Sequence, residues 1–334
     1  MKEKIFLSCP SISEEEKRIE EMKKIIETWI YSDGLLKLIS IFNENAPINL
    51  PLKEYINWLE SFSENWDFRK KQNKAKTCDT KESARWLITD DLLSEEQKEL
   101  TLEVAKNLGL IGIDIPALDN YDYICVLGGA RLSCLLRPKF AAHLISNHLV
   151  NSKKIILLSS MRPVAETERE ATNTYAINAK TEYDLMNSGA EISFSFNSVY
   201  KEECFRDTSN PNNDWAIREY VSCFNDTKVI SLAAPSSLPN ERRANSLDTY
   251  NFFVDRYNVF PGSKILLITS QIYVPYQQLE AIRGIAFPRN LIVETVGYPS
   301  EWNGSLTGML QASNYLQEIR STIQSINRFS KKYF

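Results

Sequence analysis

Five short loops carry residue types suited to gripping an anion. Gly128-Gly129-Ala130-Arg131, Ser159-Ser160-Met161-Arg162, Ala234-Pro235-Ser236-Ser237, Thr269-Ser270-Gln271 and Gly297-Tyr298 each follow a short apolar run. Small residues leave backbone N–H groups open, and hydroxyls and arginines complement a phosphate or carboxylate. The pair Gly128-Gly129 is not part of a GxGxxG fingerprint, and no GxxxxGK[ST] occurs, which removes a P-loop NTPase. No acidic residue closes the run at 154–158 to take a ribose, so a nicotinamide dehydrogenase is not expected. His143 and His148 fall together on one expected helix with no nucleophile beside them and read as structural. Cys9, Cys78, Cys125, Cys134, Cys204 and Cys223 form no CxxC and no tight cluster, so no metal is expected. Acid–base work would then fall to carboxylates or tyrosines.

Those loops need a scaffold. In a parallel sheet ligands bind outside the carboxyl ends of the strands. Strand-length apolar runs occur at 121–127, 154–158, 192–196, 228–232, 264–269 and 291–296, with helical stretches at 138–149, 181–187, 214–222, 244–257 and 275–285 between them. A final helix is expected over 306–329. Near-continuous runs such as Ile155-Ile156-Leu157-Leu158 fit strands covered on both faces. The predicted fold class is α/β, a doubly wound, mostly parallel sheet over 116–334, preceded by an all-helical region over 1–115. In that region Ser13-Glu14-Glu15-Glu16 reads as a capping box opening a helix that runs to Ile30 and stops near Gly34. A second helix spans 35–42. Pro51 opens a third, with Tyr55, Trp58, Leu59 and Phe62 on one face as helix–helix core. Ser94 and Gln97 cap a fourth over 95–108, which ends at Gly109. No internal repeat is present.

Bulk composition narrows the classes. With 11 glycines among 334 residues, the chain is neither collagen-like nor linker-rich. A net charge of −4, from 39 basic and 43 acidic side chains, speaks against a nucleic-acid partner. The densest basic run, Arg69-Lys70-Lys71 with Lys74 and Lys76, reads as a solvated loop, with an anionic partner as the alternative. The opening Lys2-Glu3-Lys4-Ile5-Phe6-Leu7 is too short for a signal peptide, and no run reaches about 18 apolar residues. The expected location is cytoplasmic, with no membrane partner, and scattered thiols fit a reducing compartment.

The order of the loops resembles the SanA/ElyC/YdcF-like family of Rossmann-like domains over about 122–296. Val126-Leu127-Gly128-Gly129-Ala130-Arg131 is similar to that family's strand-Gly-Gly start. Ile156-Leu157-Leu158-Ser159-Ser160 stands where the family has Ser-Gly-Gly, and Thr181-Glu182, ahead of Gly189, is similar to its Ser-Glu-Ala segment. Ser246-Leu247-Asp248-Thr249-Tyr250-Asn251 resembles Ser-x-Asn-Thr-x-Glu-Asn, and Leu266-Leu267-Ile268-Thr269-Ser270 resembles the Leu-Val-Thr-Ser-x-x-His segment. Ser160 and Met161 replace the family's two glycines, Tyr273 stands near its usual histidine, and residues 161–180 are an excursion. The helical region has no counterpart in the family.

The resemblance implies a site of Gly128, Gly129, Arg131, Ser159, Glu182, Asp248, Thr249, Asn251 and Ser270, to which Arg162 adds a guanidinium. The glycine amides and Arg131 would hold a phosphate or carboxylate. Glu182 and Asp248 would be a ribose acceptor or a general acid–base pair, oriented by Thr249 and Asn251. The structural alternatives are that Asp248 and Thr249 cap their helix, and that Glu182 serves its own first turn. Residues 161–180, with Arg162, Glu166, Thr167, Glu168, Arg169 and Glu170, read as a lid or a solvated excursion. Arg242-Arg243 is a further anion candidate or a solvated pair. The resemblance implies a bacterial YdcF-like protein binding a nucleotide-like or phosphorylated small molecule, S-adenosylmethionine being one candidate, and acting in transfer or hydrolysis. The alternative is a noncatalytic sensor or interaction protein whose N-terminal helices engage a protein partner.

Overall fold

Helical periodicity governs the first third of the chain, and strands alternate with helices beyond it. The computed structural model describes residues 4–42, 45–47, 49–68, 88–112, 115–195, 199–224, 227–304 and 310–334. Helices form at Glu15–Ile30 (α1), Asp33–Ile41 (α2), Leu52–Phe62 (α3), Glu95–Asn107 (α4), Ser133–Ser146 (α5), Glu182–Phe194 (α6), Ser246–Arg256 (α7), Val274–Ala281 (α8) and Ala312–Tyr333 (α9). Strands form at Tyr123–Leu127 (β1), Lys154–Ser160 (β2), Val199–Phe205 (β3), Trp215–Phe224 (β4), Thr227–Ala234 (β5), Lys264–Ser270 (β6) and Ile292–Tyr298 (β7). The chain divides into two compact units, Met1–Gly112 with Gln271–Glu280 and Gly308–Phe334, and Ile113–Ser270 with Ala281–Thr307. This division differs from a cut at 115/116, because the final helix belongs with the N-terminal helices.

The helical unit is built on aromatic packing. Trp29, Tyr55 and Trp66 are fully buried, and the rings of Tyr55, Trp58, Phe62 and Trp66 follow one another at 5.6, 5.5 and 5.1 Å between centroids. The aromatic stripe of α3 is therefore core. Ser94 and Gln97 form the capping box of α4 reciprocally, at 3.2 and 3.0 Å. The expected box at Ser13 does not form: Glu14 is the N-cap of α1 and gives no side-chain cap. Gly34 lies in the first turn of α2 rather than at a helix stop, and a Cβ there would sit 3.4 Å from Val104 of α4. Leu316, Ile319, Ile323, Ile326 and Phe329 of α9 are completely buried, and α9 packs on α3 and α4. Arg320 of α9 reaches Asp67 at 3.4 Å.

The second unit carries a seven-stranded sheet in the order β3-β4-β5-β2-β1-β6-β7. β5, β2, β1, β6 and β7 run parallel, and β4 is antiparallel to both β3 and β5. Taken alone, the parallel strands in chain order lie 3-2-1-4-5, so the direction of winding reverses between β1 and β6. Alternate residues divide the sheet's two faces. Ile124, Val126, Ile155, Leu157, Leu266 and Ile268 join one core with Leu136, Phe140 and Leu144 of α5 and Leu185 and Met186 of α6. On the other face Tyr123 meets Phe253 of α7 edge-on at 5.2 Å. Helices thus cover both faces, which explains why β1 is buried at every residue.

Two expected elements exchange identity. All but the first residue of 214–222 form strand β4 rather than a helix, and most of 192–196 is the last turn of α6 rather than a strand, with 196 outside the described residues. Trp215, Ile217 and Tyr220 are strand formers, and β4 is held between two antiparallel neighbours. The alternation at 192–196 is fortuitous: Met186, Ala190 and Phe194 are buried at helical spacing while Ile192 is exposed. β3 precedes β4 as an edge strand with Lys201, Glu202 and Glu203 in its middle, a charge pattern typical of edges. The basic run at 69–76, Cys78 and the expected helical start at 306–309 lie outside the described residues. Among the described residues no helix is long and apolar enough to cross a membrane.

Candidate functional site

The reversal of winding between β1 and β6 is occupied by Arg137 of α5. It is 4% exposed, and its Nη1 donates to the Leu127 carbonyl at 2.9 Å and to the Gly128 carbonyl. Its Nη2 and Nε donate to Ser270 Oγ at 3.1 and 3.3 Å. One guanidinium therefore ties the end of β1 to the end of β6 and turns the Gly128 carbonyl inward. A Cβ on Gly129 would lie 3.1 Å from that guanidinium and 2.9 Å from Ser133 Cβ, so a side chain is excluded. Among the described residues the N–H groups of Gly129 and Ala130 have no acceptor, and both residues are partly exposed at the entry to α5. Sequence reasoning did not select Arg137. Its signal was available, an arginine inside the apolar stretch Cys134-Leu135-Leu136-Arg137-Pro138.

Beside this loop lies a nearly buried ionic cluster. Thr181 and Asp184 form the capping box of α6, at 3.2 Å for Asp184 N to Thr181 Oγ1 and 2.9 Å for the return bond, which leaves Glu182 free to fold back over the strand ends. Glu182 Oε2 accepts from Ser160 Oγ at 2.9 Å and from Arg162 Nε at 3.3 Å. Its Oε1 stands over Gly128, where a Cβ would collide with it. Arg162 donates through Nη1 and Nη2 to Glu168 at 2.6 and 3.2 Å. Burial works against the Arg162 charge, but Glu182 and Glu168 outweigh it and raise its pKa further. Glu168 also accepts from the Arg131 N–H at 3.3 Å, and Tyr175 donates to the Arg131 carbonyl at 2.9 Å. Arg131 itself adopts a left-handed φ of 54°. Burial, with Glu182 nearby, pushes the Cys134 thiol up to about 12, so it stays protonated at neutral pH.

The excursion at 161–180 is neither a solvated loop nor a free lid. Val164 N–H donates to the Lys180 carbonyl at 2.9 Å, and Ala171, Ala176 and Ala179 are buried.

The structure thus gathers Gly128, Gly129, Arg131, Arg162, Glu182 and Ser270. The remaining expected residues have other partners. Ser159 Oγ donates to the Leu232 carbonyl across the sheet at 2.8 Å. Asp248 closes a capping box with Asn245 and accepts from the Ser237 N–H at 3.2 Å and from both Arg242 Nη atoms. Thr249 Oγ1 donates to the Ser246 carbonyl at 2.8 Å, and Asn251 accepts from Arg289 at 3.1 Å. The Asp248 end of α7 is a self-satisfied helix start. Arg242 belongs to it rather than to solvent. His143 is exposed in the last turn of α5 against Trp302, and His148 follows the helix. A cavity of about 240 Å³ lined by Lys201, Glu203, Ile217, Glu219, Arg256 and Tyr257 lies on the β3–β4 side, where Lys201 and Arg256 both pair with Glu203 and Glu219 pairs with Lys228. Among the described residues no group of three or more side chains could hold a metal ion.

Comparison with known proteins adds context. Residues 13–109 match the model of the Rv3785 N-terminal domain, so the matched span ends two residues past α4. Over 331 residues, 95% of this chain and 92% of theirs, the sequence is 28% identical to Uncharacterized protein Rv3785 of Mycobacterium tuberculosis (strain ATCC 25618 / H37Rv) and to Uncharacterized protein Mb3814 of Mycobacterium bovis (strain ATCC BAA-935 / AF2122/97). The similarity runs through both the helical and the α/β parts. No solved structure matches the chain.

Proposed function

We propose that the α/β unit is a Rossmann-like, YdcF-like domain that binds a nucleotide-like or phosphorylated small molecule at the carboxyl ends of β1, β2 and β6. The observation that carries this reading is the pair of open amides at Gly129 and Ala130, beside the Glu182 carboxylate and at the point where winding reverses. The amides take the anionic group. Glu182 accepts from a ligand hydroxyl or acts as the acid–base group of a transfer or hydrolysis. Asp248 has no part in this, because both its oxygens are engaged. The absence of a membrane-crossing helix among the described residues, together with thiols at Cys9, Cys125, Cys134 and Cys204 that form no disulfide, supports a cytoplasmic protein.

Thermal unfolding in the presence of nucleotides, sugar nucleotides, S-adenosylmethionine and diphosphate tests the reading. A ligand at 100 times its dissociation constant stabilises by about 2.7 kcal/mol. Ala130→Asp, which places a carboxylate at the open amides, is expected to abolish that shift while leaving the unliganded melting temperature unchanged. No response to any of these compounds overturns the reading. Binding that survives Glu182→Gln with turnover lost assigns an enzyme. Binding with no turnover in the wild type assigns a sensor.

A further inference from the structure

We infer that the Glu168 carboxylate is a built-in occupant of an anion subsite, formed by the Arg131 N–H and the Arg162 guanidinium, that a diphosphate group displaces on binding. The inference rests on the strand-end reading above and adds to it the ligand class and a means of control. Glu168 is 2% exposed and takes both Nη donors of Arg162 and the Arg131 N–H. A two-pronged guanidinium with a backbone N–H at a helix entry is a donor set suited to a phosphoryl group. Three amides stand in succession here. Those of Gly129 and Ala130 are open, and that of Arg131 is filled by Glu168. Two adjoining phosphoryl groups match two open amides followed by a third amide backed by a guanidinium.

Glu168 stands on a strap, residues 163–180, whose two ends are drawn together by the Val164–Lys180 backbone bond and by Glu182 N–H donating to the Arg162 carbonyl at 2.8 Å. The strap clamps Arg131 from both sides, its N–H through Glu168 and its carbonyl through Tyr175. That clamp holds a non-glycine residue at a φ of 54°. Exchange of carboxylate for phosphoryl leaves Arg162 with two anionic partners, Glu182 and the ligand, so no buried charge is stranded. The strap then loses its anchor on the loop. Ligand entry and release of the strap are one event.

Calorimetric titration with inorganic pyrophosphate, on the full chain, tests this. Glu168→Gln is expected to bind about tenfold more tightly than the wild type, because the competing carboxylate is gone. Adding Ala130→Asp to that variant should remove binding. In the wild type, amide hydrogen exchange across 164–180 should quicken when pyrophosphate saturates, and this second measurement stands even if Glu168→Gln does not fold. Equal affinity in wild type and variant, or slowed exchange in the strap, overturns the inference and leaves the strand-end site intact. Binding of pyrophosphate to neither protein also overturns the inference, while the strand-end reading falls only if the nucleotide and S-adenosylmethionine screen fails as well.

Discussion

At the residue scale, the decisive groups are those whose partners are already chosen. Arg137 holds two carbonyls and one hydroxyl, so it shapes the loop that joins β1 to α5. Asp248 shows the opposite fate for an expected catalytic residue. Burial alone would raise its pKa, but hydrogen bonds from Arg242, Ser237 and Asn245 outweigh that and hold its carboxyl below the usual range. Its stabilising contribution is therefore complete at neutral pH and is lost as the pH falls through the depressed folded-state pKa. Asp248→Asn is expected to cost about 2 kcal/mol at pH 7. Urea titrations of both proteins should show that gap closing below about pH 4. A gap that stays constant with pH would mean the charge is irrelevant. The sequence offered Asp248 with Thr249, and Glu182, as groups serving the starts of their helices, whereas the boxes that form pair Asn245 with Asp248 and Thr181 with Asp184. Which carboxylate would then face a cleft was not readable, since that depends on how the next strand delivers Ser160 and Arg162.

At the element scale, the α5–α6 pairing builds the site. Gly189 sits in the middle of α6 rather than at its end, and a Cβ there would collide with the Cys134 carbonyl oxygen and lie 2.8 Å from the carbonyl carbon. Pro138 lies inside α5 and has no N–H to offer that same carbonyl, four residues earlier. The missing donor and the missing side chain face each other, so the two helices approach closely and bring Glu182 over Gly128. Gly189→Ala is expected to destabilise by about 3 kcal/mol, read from the urea midpoint, because backbone rather than a flexible side chain must move. Helix α6 was expected over 181–187 and runs to Phe194, and β4 was expected as a helix. Both differences have one cause. Short amphipathic stretches satisfy helical and strand periodicity equally well, and only the neighbouring strands choose between them.

At the scale of the whole molecule, the units are threaded through each other along the chain. The helical unit takes Gln271–Glu280 from beyond β6, as well as the final helix. Glu280 accepts from Ser325 at 2.6 Å and from Arg328 at 3.1 Å, and α9 buries its apolar face on α3 and α4. A fragment of residues 116–334, cut where composition changes, would expose Leu316, Ile319, Ile323, Ile326 and Phe329. It is expected to aggregate or to unfold without cooperativity, as judged by light scattering and thermal denaturation, whereas the full chain remains monodisperse. A soluble, cooperatively folding fragment would show that the interleaved segments are dispensable.

Local chemistry was enough to place the helical region, the parallel strand runs, the turn at Gly128-Gly129 and the capping box of Ser94 and Gln97, because each depends on residues within a few positions of one another. Tertiary packing alone decided that Arg137 bridges β1 and β6, that Glu168 pairs with Arg162 and the Arg131 N–H, and that Asp248 and Asn251 spend their polar atoms elsewhere. Those pairings join residues separated by turns or whole elements, where periodicity carries no information about which groups will meet.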